Sequence, residues 1–522
     1  MSKLNDNKVL LLNKGKRGVF KALFSRMGII LLLIVLQVLL LISIFRWLKS
    51  YSSILYIVGI VISAIIVFQL INKTMDPTSK LTWMFLISAF PLLGIVLYIF
   101  ITHDLGNKFV TKRVNSIVKE TKNYIDQDHG LLEEVKEEHP ELYTLGNYIQ
   151  NTSNYPIYRE SNAKYFSTGE ETFKYMIEEL EKAEDFIFIE YFIITEGYMW
   201  GRILNILEDK IEQGVEVRVM YDGTCTFSNL PYNYPEKLKK IGIKCRMFSP
   251  LKPFISTHYN NRDHRKIMVI DGKVAFTGGI NLSDEYINLV ERYGHWKDNG
   301  IMIKGRAVKS FTLMFLQMWH HIDGEKEFED YLKNSTATCD DGYIIPYGDI
   351  PTDHERVGQS VYMDIINRAR KYLYIMSPYF IVDHEIVRAL AFAGKKGVDV
   401  RILLPHIPDK KTIFAVAKTY YRDLIKAGVK IYEYTPGFVH SKVFLSDDKI
   451  GVVGSINLDY RSLYHHYENG VYLYRTQCLE DIKKDFMESF EISQKMTLKD
   501  VKNEPFMRKV IGKILKIFAP LL

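Results

Sequence analysis

The chain has 522 residues, with 68 basic and 61 acidic side chains and a net charge of +7. That length suits about three domains at ~150 residues each. The mild charge excludes a polybasic nucleic-acid binder, and 25% charged with 47% hydrophobic residues excludes a disordered chain. Cys225, Cys245, Cys339 and Cys478 form no CxxC pair, so neither a zinc site nor a disulfide framework is indicated.

The first 105 residues form a membrane region. Runs 27–45, 51–71 and 81–102 are uncharged and mostly apolar, and each approaches the ~20 residues a helix needs to cross a bilayer. The first is too long for a signal-peptide core, and Arg46, Trp47 and Lys49 follow it as an interfacial anchor. Pro91 within the third run is tolerated in a lipid-embedded helix and kinks it. Seven basic residues before the first run argue for a cytoplasmic N-terminus. Three crossings would put the rest of the chain outside the cytoplasm; a re-entrant first run would keep it inside. A polar helical connector is expected over 106–162.

From residue 163 amphipathic helices alternate with short apolar strands, which predicts an α/β fold. The pattern occurs twice. Helical stretches 171–182 and 202–213 precede the apolar runs 186–194 and 217–221; stretches 359–370 and 385–395 precede 372–382 and 400–404. Two homologous lobes of mixed sheet flanked by helices, related by a pseudo-twofold, are therefore expected over 163–335 and 336–500. Their motif segments cover 258–285 and 435–462.

Within them His264, Lys266, Asp271, Gly278 and Asn281 recur 176 positions later as His440, Lys442, Asp447, Gly454 and Asn457. Further on, WKDNG and YENG align Asp298 with Glu468. His264 and Lys266, two apart on a strand, share one face. Asp271-Gly272 signals a hairpin turn, and the returning strand delivers Asn281 beyond its end. A twofold arrangement would gather two imidazoles, two ammonium groups and two amides at one point. Cations and amide donors suit a phosphate whose charge grows in the transition state. Paired imidazoles suit covalent catalysis, one as nucleophile and one as general acid then base. Asp298 and Glu468 are placed to fix the imidazole tautomers. Asp271 and Asp447 close each motif and count with its catalytic set, although their place beyond the strand favours a structural part. A lysine beside each histidine disfavours a bound metal. His258, His295, His320, His321, His465 and His466 have no counterpart at the same spacing, and core or solvated roles are expected for them.

These residues resemble the duplicated HxKxxxxD motif of the phospholipase D superfamily, over residues 165 to about 494. With the N-terminal hydrophobic runs, IEYFI, GGINLSDEY, SPYF, GSINLDYRS and the terminal APLL, the chain is similar to bacterial cardiolipin synthases. The resemblance implies transfer of a phosphatidyl group between two phosphatidylglycerol molecules, giving cardiolipin and glycerol, without cofactor or metal. It implies His264 as nucleophile, His440 as acid then base, and Lys266, Lys442, Asn281 and Asn457 on the phosphate. A membrane-anchored hydrolase of the same chemistry is the alternative. Family members usually show two N-terminal runs; this chain has three. The implied location is the bacterial cell membrane, multi-pass.

Residues 501–522 form a basic amphipathic helix. Phe506, Val510, Ile511, Ile514, Ile517 and Phe518 recur at helical spacing, interleaved with Arg508, Lys509, Lys513 and Lys516. Such a helix binds an anionic membrane surface, or docks its apolar face on the domain. No nucleic-acid partner is expected, and oligomeric state is not readable.

Overall fold

The computed structural model describes residues 52–521 except 103–104, 251–260, 322–326, 333–340 and 354, together with Leu39, Ile42, Ser43 and Arg46. Almost all of the run 27–45, Cys339 and the start of the first motif segment lie outside the described residues.

Helix Ser52–Asn72 carries the second apolar run. The third is divided into Pro77–Ala89 and Pro91–Thr102. Phe90 leaves the helical region at φ −134°, as the residue before a proline tends to. The expected single kinked crossing is thus two short helices, packed so closely that a Cβ on Gly94 would lie 2.6 Å from the Leu86 carbonyl oxygen. Ile66, Leu70, Trp83, Ile87 and Ile95 form the small core of this bundle. Among the described residues no helix is long and apolar enough to cross a membrane. The side chains of residues 52, 53, 55 and 56 are not among them.

The connector forms helices Leu105–Glu120, His129–Glu138 and Pro140–Ser153. Val114, Val135, Leu142 and Ile149 of these helices are buried in the large core shared with both lobes.

The first lobe holds β1 (Ser161–Phe166), β2 (Phe186–Tyr191), β3 (Glu216–Asp222), β4 (Lys244–Phe248), β5 (Lys266–Ile270) and β6 (Val274–Gly278). β7 (His295–Lys297) and β8 (Gly300–Gly305) complete it. The sheet order is β1-β8-β6-β5-β2-β3-β4. β2, β3 and β4 run parallel, while β2–β5, β5–β6, β6–β8 and β8–β1 pair antiparallel. Helices cover both faces, so the central strands β2, β3, β5 and β6 are mostly apolar. On β2, Phe186 and Phe188 enter one core while Ile187 and Ile189 enter the other, as side chains of period two must.

The second lobe repeats this with β9 (Tyr343–Asp349), β10 (Tyr372–Met376), β11 (Phe380–Ile381), β12 (Asp399–Pro405), β13 (Lys430–Tyr434) and β14 (Gly437–Val439). β15 (Val443–Ser446), β16 (Ile450–Gly454), β17 (Leu458–Asp459), β18 (Glu468–Tyr474) and β19 (Ser493–Lys495) follow. Its order, β9-β18-β16-β15-β10-β12-β13-β19, matches the first strand for strand and adds β19 at the edge. The chain is a mixed α/β protein with two sheet-containing lobes.

The lobes are stitched by backbone hydrogen bonds where the motifs begin. His264 N donates to Tyr467 O at 2.9 Å and Tyr467 N to Arg262 O at 2.8 Å; His440 N donates to Lys297 O at 2.7 Å. β14 pairs in parallel with β7 of the other lobe.

Candidate active site

β5 and β15 each emerge from the core with a histidine two residues before a lysine. His264 and His440 are 6% and 8% exposed, and Lys266 and Lys442 are fully buried beside them. Asp298 and Glu468 do hold the imidazoles, and the pairing is crossed between the lobes. Glu468, from the second lobe, lies 2.9 and 3.0 Å from His264 Nδ1. Asp298, from the first, lies 2.7 Å from His440 Nδ1. Each carboxylate accepts a hydrogen bond from Nδ1–H, and Nε2 is left as the free base.

Burial depresses both imidazoles, with Lys442 adding to the effect at His440, which falls to about 4. Burial alone would raise the carboxyls. At Asp298 it is outweighed by His440 and Lys442, and at Glu468 by His264, His466 and Lys266, so both are held below the usual range. Ionised carboxylates beside neutral imidazoles are the result. Burial also lowers Lys266 to about 8 and Lys442 to about 7. Lys266 Nζ donates to the His264 carbonyl at 2.5 Å; Lys442 Nζ lies 3.0 and 3.1 Å from the His440 ring nitrogens and donates to the His440 carbonyl. Charge coupling of Lys266 to Asp298 and of Lys442 to Glu468 makes the two halves one centre.

The repeat is unequal at one position. Gly279 packs so tightly that a Cβ there would lie 2.0 Å from Asp298 Oδ1 and 2.9 Å from the His440 carbonyl. Its counterpart Ser455 instead donates its hydroxyl to Glu468.

The two amides differ in their partners. Asn281 accepts from Ile193 N at 3.1 Å and donates to the Tyr286 hydroxyl at 2.7 Å. Asn457 is buried with its Oδ1 unpaired. Asp271 and Asp447 find their hydrogen-bond partners at the hairpin turns, in line with the structural part their place beyond the strand favours. Asp271 accepts three backbone N–H bonds, from Glu184, Asp185 and Phe186 at 2.8–3.0 Å. Asp447 does the same with Arg370, Lys371 and Tyr372 at 2.7–2.8 Å. Both sit at hairpin turns with left-handed φ of 53° and 56°, and each staples the turn to the start of β2 or β10.

His466, expected in a core or solvated role, belongs to the site. Its ring lies 5.3 Å from that of His264, with Nδ1 3.7 Å from Glu468, and neither nitrogen has a hydrogen-bond partner. Its spacing of two from Glu468 was the available signal, since alternate residues of an extended segment share a face. Phe192 packs on His264, while Tyr286 and Trp296 pack on His440; no motif spacing marked these. Among the described residues His264, His466 and Glu468 form the group able to hold a metal, with ligand atoms within 4.8 Å. A cation there would occupy the ring-nitrogen lone pairs of His264 and His466.

The family description "Cardiolipin synthase, PLD-like domain" matches residues 176–319 and 362–490. The chain belongs to this family. It is 34% identical to the cardiolipin synthase of Alkalihalophilus pseudofirmus over 91% of this chain and 95% of that one. A similar likeness, 33%, links it to the cardiolipin synthase of Halalkalibacterium halodurans, over 91% and 95%. An uncharacterized protein of Streptococcus mutans is 51% identical over 87% of this chain and 99% of that one. In fold, the phosphatidylserine synthase of Haemophilus influenzae superposes with a TM-score of 0.53 at 16% identity, covering 72% of this chain and 98% of that one. The chain is thus an enzyme of the phospholipase D superfamily, and its duplicated histidine site lies inside the matched segments.

Proposed function

We propose that this enzyme transfers a phosphatidyl group from one phosphatidylglycerol to another, giving cardiolipin and glycerol. The observation that carries this reading is the crossed pair of carboxylate-held imidazoles flanked by two buried lysines. His264 Nε2 attacks phosphorus; the bond to the headgroup glycerol oxygen breaks, and His440 supplies that oxygen with a proton. The incoming phosphate anion raises His440 from its depressed value, so it reaches the protonated form in the complex. His440 then takes the proton of a hydroxyl on the second phosphatidylglycerol as that oxygen displaces His264. Lys266 and Lys442, with the free capacity of Asn281 and Asn457, balance the phosphate charge, which is greatest in the transition state. One phosphodiester replaces another, so no nucleotide is consumed.

Transfer is favoured over hydrolysis by the burial of both histidines beneath Phe192, Tyr286 and Trp296, which limits access of bulk water. We further place the enzyme in the bacterial cell membrane as a multi-pass protein. Ile57 and Phe68 of helix Ser52–Asn72 stand 62% and 69% exposed, a lipid-facing pattern. Thr82 donates to the Ile517 carbonyl at 2.6 Å, tying that helical bundle to the C-terminal helix.

Purified, detergent-solubilised enzyme given phosphatidylglycerol alone tests the reading. Cardiolipin with equimolar glycerol is expected. Phosphatidic acid as the main product would make the enzyme a hydrolase.

A further inference from the structure

Helix Lys411–Lys426 of the second lobe meets the C-terminal helices Leu498–Asn503 and Phe506–Ile517. A pocket of about 510 Å³ opens where the three join, sharing no residue with the histidine site. Arg422, Lys426, Arg508, Lys509 and Lys513 line it. The one carboxylate on its wall, Glu504, is already held by Lys418 at 3.1 Å and Arg508 at 2.9 Å. Arg422, Lys426 and Lys513 have no carboxylate partner among the described residues. The pocket therefore carries an uncompensated positive charge.

Its walls are fixed rather than draped. The C-terminal helix approaches its neighbour at Gly512, where a Cβ would lie 2.3 Å from the Ala415 carbonyl oxygen. Lys516 sits over the Tyr420 ring at 3.7 Å. The helix is thus both docked, through this face, and amphipathic outward: Phe506 is 76% exposed, with Met507 and Ile514 also open. Leu498 and Val501 add apolar surface to the pocket itself.

We propose that this pocket binds the phosphate of an anionic glycerophospholipid, separately from the histidine site. Its acyl chains would lie along the exposed apolar side of the C-terminal helix. A free phosphate would leave that apolar surface unused, and a choline or ethanolamine headgroup would bring an ammonium to a wall with no free carboxylate. The inference does not depend on the transfer reading, because a hydrolase would carry the same pocket.

The test uses full-length enzyme in detergent micelles with two photoactivatable probes, phosphatidic acid and phosphatidylcholine, followed by peptide mapping. The anionic probe is expected to label peptides from 411–426 and 498–517, and the choline probe to leave them largely unlabelled. A basic residue near an anionic lipid contributes about five-fold in affinity, so R422E/K513E should lower this labelling by about 30-fold or more. Labelling of peptides containing His264 and His440, and turnover of phosphatidylglycerol, should persist. If the double variant misfolds, the neutral single variant R422Q should show about five-fold weaker labelling. Equal labelling by both probes, or unchanged labelling in the variants, would overturn the proposal. Loss of the label on adding inorganic phosphate in place of unlabelled phosphatidic acid would assign the pocket to free phosphate and overturn it as a lipid site.

Discussion

Replacing Glu468 by glutamine keeps the shape of the side chain and removes its charge. In the native enzyme both Glu468 oxygens lie within 3.0 Å of His264 Nδ1, and Ser455 donates to the same carboxylate. A hydrogen bond to a charged group is worth about 1.5–3 kcal/mol. Taking about 2 kcal/mol as the part realised when His264 becomes positive on attack, the phosphorylation rate falls about 30-fold. A glutamine that turns its amide toward Nδ1 would move the imidazole proton to Nε2 and remove the nucleophilic lone pair. The equivalent tautomer error in a serine-protease triad costs about 10⁴, so E468Q should fall between these limits. Glu468 also supports the charge of Lys266, and the alkaline limb of the rate profile should move to lower pH. The assay is rapid mixing with phosphatidylglycerol labelled in its phosphate, an alkaline quench, and counting of acid-labile protein-bound label. A folded E468Q enzyme that forms phosphohistidine as fast as wild type would refute the tautomer argument. D298N should show its defect at His440 instead, because the pairs are crossed.

Asp271→Asn should lower the unfolding temperature by a few degrees, consistent with about 1–2 kcal/mol for weakened backbone acceptors, and leave kcat unchanged; lost turnover at unchanged stability would restore a catalytic part for this residue. Gly279→Ala should push Asp298 off His440, with about 1–3 kcal/mol of overpacking strain and a large loss of kcat, visible by comparing thermal unfolding with turnover; wild-type turnover would mean that the site gives way more readily than its geometry implies. For pH, Lys442 and Lys266 are depressed by burial to about 7 and 8, so kcat/KM should decline as pH rises through that range. The lysines of the unfolded chain titrate near pH ~10.4. Between the two ranges the unfolded chain binds more protons, so their contribution to stability rises with pH. Chemical denaturation from pH 7 to 10 checks that sign by difference: the native protein should gain stability relative to the K442M variant as pH rises.

Much of the centre was legible in the chain itself. Five residue types repeated at one displacement marked two copies of one unit, because a strand fixes which residues share a face. Asp271-Gly272 announced its hairpin, and the structure holds both residues at positive φ, 53° and 63°. Other features followed from packing that no local pattern encodes. The motif aspartates look catalytic in a string of letters, yet their carboxylates face the N–H groups at the start of β2 and β10. The proline in the third hydrophobic run did more than kink it, because Gly94 lets the two halves fold against each other. His466, set aside as a bystander, is brought against His264.

The sequence by itself determined the α/β class, the duplication and the chemical inventory of two histidines, two lysines and two carboxylates, since these depend on periodicity and residue type alone. Only the tertiary structure decided that Glu468 serves the histidine of the other lobe, and Asp298 likewise. Partners 204 and 142 residues apart meet only after both sheets have formed and their motif backbones have paired across the interface. Burial of that interface then depresses the histidines and lysines, while these neighbours hold the two carboxylates ionised.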